Sequence, residues 1–198
     1  SLSRELFKYN IPVAIFTVIA AFSARLDTYL NAVLLSAREV GIYGAANQLV
    51  SVVPQLVGAL GMVAAPKFSS FQNNNQMIVY LKKFQLLVSA LCFLGILSIP
   101  LLVYLIPIIY GPGYQEAVIP LIFLFLAMLV FMFSLPVHIS VIFYFARPDV
   151  FIWVSLGHLL IVGILGYLMI ANFGVVGASI TVLVGTIFNF LYPLIWLL

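Results

Sequence analysis

Six long apolar stretches fill almost the whole chain, and very few charged residues interrupt them. The sequence is 65% hydrophobic and only 7% charged, so a soluble globule of 198 residues would lack the polar side chains to cover its surface. The mean hydropathy of +1.27 points the same way, because a lipid bilayer requires no polar cover. The sequence therefore predicts an all-α fold, a polytopic membrane helix bundle.

Each stretch is long enough for the ~20 residues that a helix needs to cross a bilayer. Turn-forming residues separate the stretches, for example at Pro66 and at Arg147-Pro148-Asp149. The chain begins with Ser1 and ends in apolar residues without a polar flank, so we expect a piece of a longer protein. A single transmembrane domain, residues 1–198, is predicted with spans at 10–36, 42–65, 84–107, 117–144, 150–171 and 176–198.

Lys and Arg are distributed unevenly between the two ends of the predicted spans. Such residues are retained in the short cytoplasmic loops of membrane proteins. One end has Arg38 as its only such residue. The other end has Arg4, Lys8, Lys67, Lys82, Lys83 and Arg147. We therefore predict a multi-pass protein of the cell (cytoplasmic) membrane, with the amino terminus of this segment in the cytoplasm.

The first predicted span contains polar residues that lipid would not accept. A helix advances 100° per residue, so Ser23, Asp27 and Asn31 share one face. Arg25 projects nearly the opposite way, and no ion pair between Arg25 and Asp27 within the helix is expected. Asp27 is interpreted either as a structural anchor, hydrogen-bonded to Asn47 or Gln48 or paired with a cation from another part of the longer protein, or as a site for a coupling ion.

The second predicted span has a polar row of its own. It consists of Asn47, Ser51 and Gln55 at intervals of four residues, with Gln48 adjacent. Two such rows could pack together through hydrogen bonds or line a water-filled cavity. We favour the cavity, because packing of the two rows would not account for Arg25 and Asp27. A charge at the bilayer centre costs at least ~2.5 kcal/mol, and water in a cavity would solvate it. The predicted cavity-lining residues are Arg25, Asp27, Asn31, Asn47, Gln48, Ser51 and Gln55.

Two histidines lie at similar depth in the fourth and fifth predicted spans. His138 and His158 could meet across an antiparallel helix pair and form a proton-sensitive site, since histidine titrates near neutral pH. The alternative, which we favour for both, is a buried histidine bonded to a backbone group or to serine.

Motifs of catalysis are missing from the sequence. HExxH, GxSxG and GxxxxGK patterns do not occur, and the loops are short. Cys92 is the single cysteine, which excludes an intrachain disulfide and argues against a His/Cys metal site. We expect neither an enzyme nor a bound cofactor or metal.

Two short motifs are similar to each other, Gly41-Ile42-Tyr43-Gly44-Ala45 and Gly174-Val175-Val176-Gly177-Ala178. Close helix packing through small residues is the expected reason for both. Further recognisable features are Asn10-x-Pro12, Asp27 with Leu30, Val40 and Ala46 flanking the first motif, Pro66, and Tyr110-Gly111-Pro112-Gly113-Tyr114 with Ala117. In their order and spacing, these features resemble the polysaccharide flippases of the multidrug/oligosaccharidyl-lipid/polysaccharide (MOP) exporter superfamily. The resemblance covers essentially all of the chain and corresponds to the carboxyl-terminal half.

The resemblance implies six transmembrane helices that form one lobe of a two-lobed transporter, paired with an amino-terminal helical lobe. It implies that the substrate is a polyprenyl-pyrophosphate-linked oligosaccharide, flipped to the outer leaflet by alternating access. Arg25 would be the candidate cation for the anionic head group. The rivals are a cation-coupled multidrug exporter, with Asp27 as its ion or drug site, and a non-transporting membrane subunit of polysaccharide assembly. The expected partners are therefore the lipid bilayer, the lipid-linked oligosaccharide and the amino-terminal lobe. No nucleic acid is expected as a partner.

Overall fold

The computed structural model describes residues 2–198, with side chains for all of these except residues 2–6 and 24. Over this range every regular element is helical, which confirms the predicted all-α fold. The α-helices are α1 (Leu2–Leu34), α2 (Ala37–Val50), α3 (Val52–Ser70), α4 (Asn74–Tyr110), α5 (Val118–Ile139), α6 (Val150–Leu160) and α7 (Tyr167–Leu197). The 3-10 turn Pro112–Ala117 precedes α5, and the π-helical turns Ser140–Tyr144 and Ile161–Gly166 follow α5 and α6.

These elements join into five helical segments that are long and apolar enough to cross a membrane, where the sequence predicted six. The difference lies in Val150–Leu197, whose 48 residues include both the fifth and the sixth predicted spans. Two helices meet at Gly174 without a loop between them, and the backbone there is non-helical, with φ 55° and ψ −134°. The polytopic membrane bundle itself is as predicted.

The segment Val150–Leu197 reverses direction at Gly174. A Cβ atom built on Gly185 would lie 2.8 Å from the ring of His158, and one on Gly157 would lie 2.4 Å from Phe188. In a straight helix, His158 and Gly185 would be about 40 Å apart at 1.5 Å per residue. The two arms of the segment therefore pack against each other in antiparallel fashion.

The turn between the first two segments is fixed by a capping box. The Ser36 hydroxyl accepts a hydrogen bond from the Glu39 amide at 3.3 Å, and the Glu39 carboxylate accepts one from the Ser36 amide at 2.8 Å. Each side chain satisfies a backbone donor that the start of α2 would otherwise leave unpaired.

Polar contacts gather at the two ends of the bundle. At the end predicted to be external, Arg38 pairs with Glu116 at 2.9 Å. At the other end, the Tyr144 hydroxyl donates to the Asn74 side chain. There Arg147 donates two hydrogen bonds of 2.8 Å to Asp149, and these bonds lower the pKa of that carboxyl. Arg4, which contributes to the predicted orientation, lies outside the residues whose side chains are described, and the orientation stays a prediction.

The core is built around α5, which packs against α2, α3, α4 and α7. Leu121 and Leu124 of α5 are almost fully buried in this core. The outer face of α4, by contrast, exposes large apolar side chains such as Leu86, Phe93 and Leu97. That face is typical of a helix in contact with lipid.

Candidate functional site

The exposed surface of α2 and α3 carries amides among its apolar side chains. Asn47, Gln48 and Gln55 are exposed, and Ser51 is half-buried. Within the described part of the chain, the three side-chain amides have no hydrogen-bond partner. An amide facing hydrocarbon would stay unsatisfied at a cost of several kcal/mol. These four residues, which we call the polar face, therefore require water or another polar surface opposite them.

The polar face is centred on the break between α2 and α3. Pro54 has no N–H to donate to the Val50 carbonyl, so the helix cannot run undisturbed through this point. The Ser51 amide donates to the Asn47 carbonyl at 3.1 Å, and its hydroxyl donates to the Gln48 carbonyl at 2.7 Å. Serine thus satisfies the backbone at the break, and the side-chain amides of Asn47 and Gln48 remain available for other partners.

Arg25 is exposed on α1, on the same helical stripe as Ala21 and Thr28. Among the residues whose side chains are described, it has no ion-pair partner. Arg25 lies about 14 Å from the end of α1 at Leu34, and Gln48 lies about 17 Å from the start of α2 at Ala37. Arg25 and Gln48 are therefore at similar depth on consecutive helices.

The opposite face of α1 turns toward the interior of the bundle. Ser23 is fully buried, Asn31 is 5% exposed, and Asp27 is half-buried. The buried Oδ1 of Asn31 has no hydrogen-bond partner among the described residues. Tyr43 of α2 lies beside Asn31 and within electrostatic reach of Asp27. This cluster between α1 and α2 joins a carboxylate, an amide and a phenol.

The seven residues predicted to line a cavity thus fall into two groups. Arg25 and the polar face are at the surface of the bundle, whereas Asp27 and Asn31 lie between helices. The sequence interpretation did not assign a role to Tyr43, although it belongs to the first glycine motif. The motif was interpreted as the start of a helix, and nothing in its spacing indicated that Tyr43 contacts α1.

The two histidines line one cavity of about 210 Å³ without bonding each other. His138 Nε2 donates to the Asn189 carbonyl at 2.9 Å, and His158 Nδ1 lies 2.8 Å from the Ser23 hydroxyl. Asn189 also lines this cavity, and its buried Oδ1 has no partner in the described structure. Each histidine therefore has a backbone or serine partner, as buried histidines commonly do.

The two glycine motifs differ in their surroundings. A Cβ atom on Gly177 would lie 2.0 Å from the Met169 carbonyl oxygen, which is the close packing that the sequence predicted. A Cβ atom on Gly41 or Gly44 would meet nothing within 4 Å. The expectation of close packing was therefore wrong for the two glycines of the first motif, which lie on the exposed side of α2, whereas Ala45 of that motif is buried.

An apolar helical exterior with one polar face defines a polytopic membrane protein whose exposed surface is not all adapted to lipid. Residues 1–119 match the family model described as polysaccharide biosynthesis protein, and the chain belongs to that family. The matched part includes Arg25, Asp27 and the polar face. Searches of curated proteins and of solved structures gave no match.

Proposed function

We propose that the chain is one lobe of a transporter that moves a lipid-linked polysaccharide precursor from the cytoplasmic to the outer leaflet. The supporting observation is the polar face, which has unpaired amides on the outside of a membrane bundle. Membership of the polysaccharide biosynthesis family supports a saccharide as the cargo. A second helical lobe opposite the polar face would enclose a hydrated pathway, and the two would open alternately to each side of the membrane.

The chemistry of the exposed residues suits such a cargo. Side-chain amides both donate and accept hydrogen bonds, as sugar hydroxyls do. The guanidinium of Arg25 presents a planar set of donors that can bind a phosphate group through two parallel hydrogen bonds. In this proposal, Arg25 holds the anionic head group and the polar face contacts the sugars. The chain moves its cargo without breaking a covalent bond and is not an enzyme.

A cation-coupled exporter is the second candidate, on the observation that Asp27 and Tyr43 lie together between α1 and α2. A carboxylate beside an aromatic ring is suited to a cation. The family match favours the polysaccharide cargo over a cationic drug. The third candidate is a membrane subunit of polysaccharide assembly that does not transport. In that case, polysaccharide export would not depend on Arg25 or on the polar face.

The proposal predicts that the amides of the polar face are needed for transport and not for folding. In Gln48→Leu/Gln55→Leu, we expect export to fall about tenfold, because two hydrogen bonds of ~0.5–1.5 kcal/mol are removed. Export is measured as surface polysaccharide in cells that lack the native gene. Gln72→Leu, in the exposed loop after α3, is the matched control and should leave export unchanged. Unaltered export in the double variant would contradict the proposal and indicate a lipid-facing surface.

The predicted orientation can be tested by labelling introduced cysteines in a Cys92→Ala background. Asn74→Cys and Arg147→Cys should be shielded in intact cells from a thiol reagent that cannot cross the membrane. Pro112→Cys should be labelled, because it lies at the opposite end of α4. Labelling of Asn74→Cys from outside would reverse the orientation that the Lys and Arg distribution predicts.

A further inference from the structure

A groove of about 500 Å³ lies where α3 ends and α4 begins. On α4 it is lined by Gln76, Val79 and Lys83, which recur at intervals of three and four residues and so share one stripe. On α3 it is lined by Lys67 in the last turn. Both lysines are exposed. The groove therefore combines an apolar lining with two ammonium groups.

Neither lysine has a carboxylate partner in the described structure. Four of the five acidic residues have described side chains. Asp27 lies between α1 and α2, and Glu39 caps α2. Glu116 and Asp149 pair with arginines. Residues 66–83 contain no acid at all. No described carboxylate therefore compensates the positive charge of the groove.

Aromatic rings give the groove a rigid floor. Tyr80 packs against the fully buried Phe68 at 5.3 Å between ring centroids and against Phe71 at 5.4 Å. The Lys67 ammonium lies 5.4 Å from the centre of the Phe71 ring, a distance at which cation–π attraction holds it. This packing fixes one cation at the edge of the groove, unlike a lysine on a freely solvated surface.

The predicted spans put the groove at the level of lipid head groups. The 37 residues of α4 extend about 55 Å, whereas the hydrocarbon core of a bilayer is ~30 Å thick. The predicted span 84–107 begins directly after Lys83, so the first residues of α4 lie outside the hydrocarbon. Apolar walls then suit the acyl-glycerol part of a lipid, and the two ammonium groups suit its phosphate.

We propose that this groove binds an anionic glycerophospholipid, with the phosphate between Lys67 and Lys83 and the acyl-glycerol portion against Val79, Phe71 and Tyr80. Basic pockets between membrane helices on the cytoplasmic side are typical sites for anionic lipid head groups. The groove is separate from Arg25 and the polar face. Its occupation by lipid does not depend on which cargo the protein carries.

The test uses the full chain purified in detergent, with dioleoylphosphatidylglycerol binding followed by native mass spectrometry. Each lysine near a lipid head group contributes ~1 kcal/mol, or about a fivefold change in affinity. Lys67→Gln/Lys83→Gln should therefore weaken binding about 25-fold. Lys82→Gln removes one charge from the position next to Lys83, and it should stay within about twofold of the parent because Lys82 does not line the groove.

Further measurements test whether binding depends on charge and whether the bound anion is a lipid or free phosphate. Lys67→Arg/Lys83→Arg should retain binding, and dioleoylphosphatidylcholine, with the same acyl chains but no net charge, should bind weakly. The proposal is overturned if Lys82→Gln loses as much affinity as the double variant, or if the two lipids bind equally. Displacement of the lipid by millimolar inorganic phosphate would likewise overturn it, since the groove would then select a free anion. Because export is not measured, failure here leaves the proposed transport function untouched.

Discussion

Replacing Arg25 with alanine should abolish export of the polysaccharide precursor while the chain stays at its normal level in the membrane. Arg25 is exposed and has no ion pair among the described side chains, so its removal breaks no described ion pair of the bundle. Hydrogen bonds to a charged group contribute ~1.5–3 kcal/mol, which corresponds to a loss of about 10- to 150-fold in binding of the head group. Export and membrane level are measured in the same cells.

Two further variants define what the Arg25 side chain supplies. Arg25→Lys keeps the charge but loses the planar pair of donors, so it should restore export only in part. Arg38→Ala removes another exposed arginine, one that pairs with Glu116 at the end of the bundle, and should export normally. Normal export by Arg25→Ala would show that the residue does not contact the cargo.

Local rules were enough to predict much of the fold. The apolar composition predicted a helical membrane bundle, and helix periodicity predicted that Arg25 and Asp27 point apart. In the structure Arg25 is exposed and Asp27 is half-buried. Both results depend only on the geometry of a single helix and on the exclusion of charge from lipid.

Contacts between helices could not be predicted in the same way. Tyr43 and Asn31 are brought together by the rotation of α1 relative to α2, which no pattern within either helix determines. The histidines show the same limit. Their similar depth was visible in the sequence, yet their partners, Ser23 and the Asn189 carbonyl, lie on helices distant in the chain.

Sequence similarity also failed to distinguish the two glycine motifs. Both combine two glycines three residues apart with a following alanine, and small residues in membrane helices favour close packing. Only the motif after the reversal at Gly174 has a neighbouring backbone against it. Whether a glycine is packed depends on the tertiary path of the chain, and that path differs at the two positions.

Gly177→Ala should destabilise the bundle strongly. The added methyl group would lie 2.0 Å from the Met169 carbonyl oxygen and 2.4 Å from its carbon. These are backbone atoms, so no side-chain rotation relieves the clash, and the two arms of Val150–Leu197 must move apart. Overpacking costs ~1–3 kcal/mol and more where the neighbour cannot yield. For a chain of this size, we expect the Tm of the protein in detergent to fall by about 6 °C or more.

The matched control is Gly44→Ala, the same substitution at the corresponding position of the other motif. Nothing lies within 4 Å of the new methyl group, and alanine is the better helix former by up to ~1 kcal/mol. Its Tm should therefore stay the same or rise slightly. Equal Tm values for the two variants would mean that the close approach of Gly177 to Met169 does not hold the arms together. A large fall in Tm for Gly177→Ala alone would show that glycine is required at position 177 by the reversal at Gly174. Only that reversal brings residue 169 against residue 177.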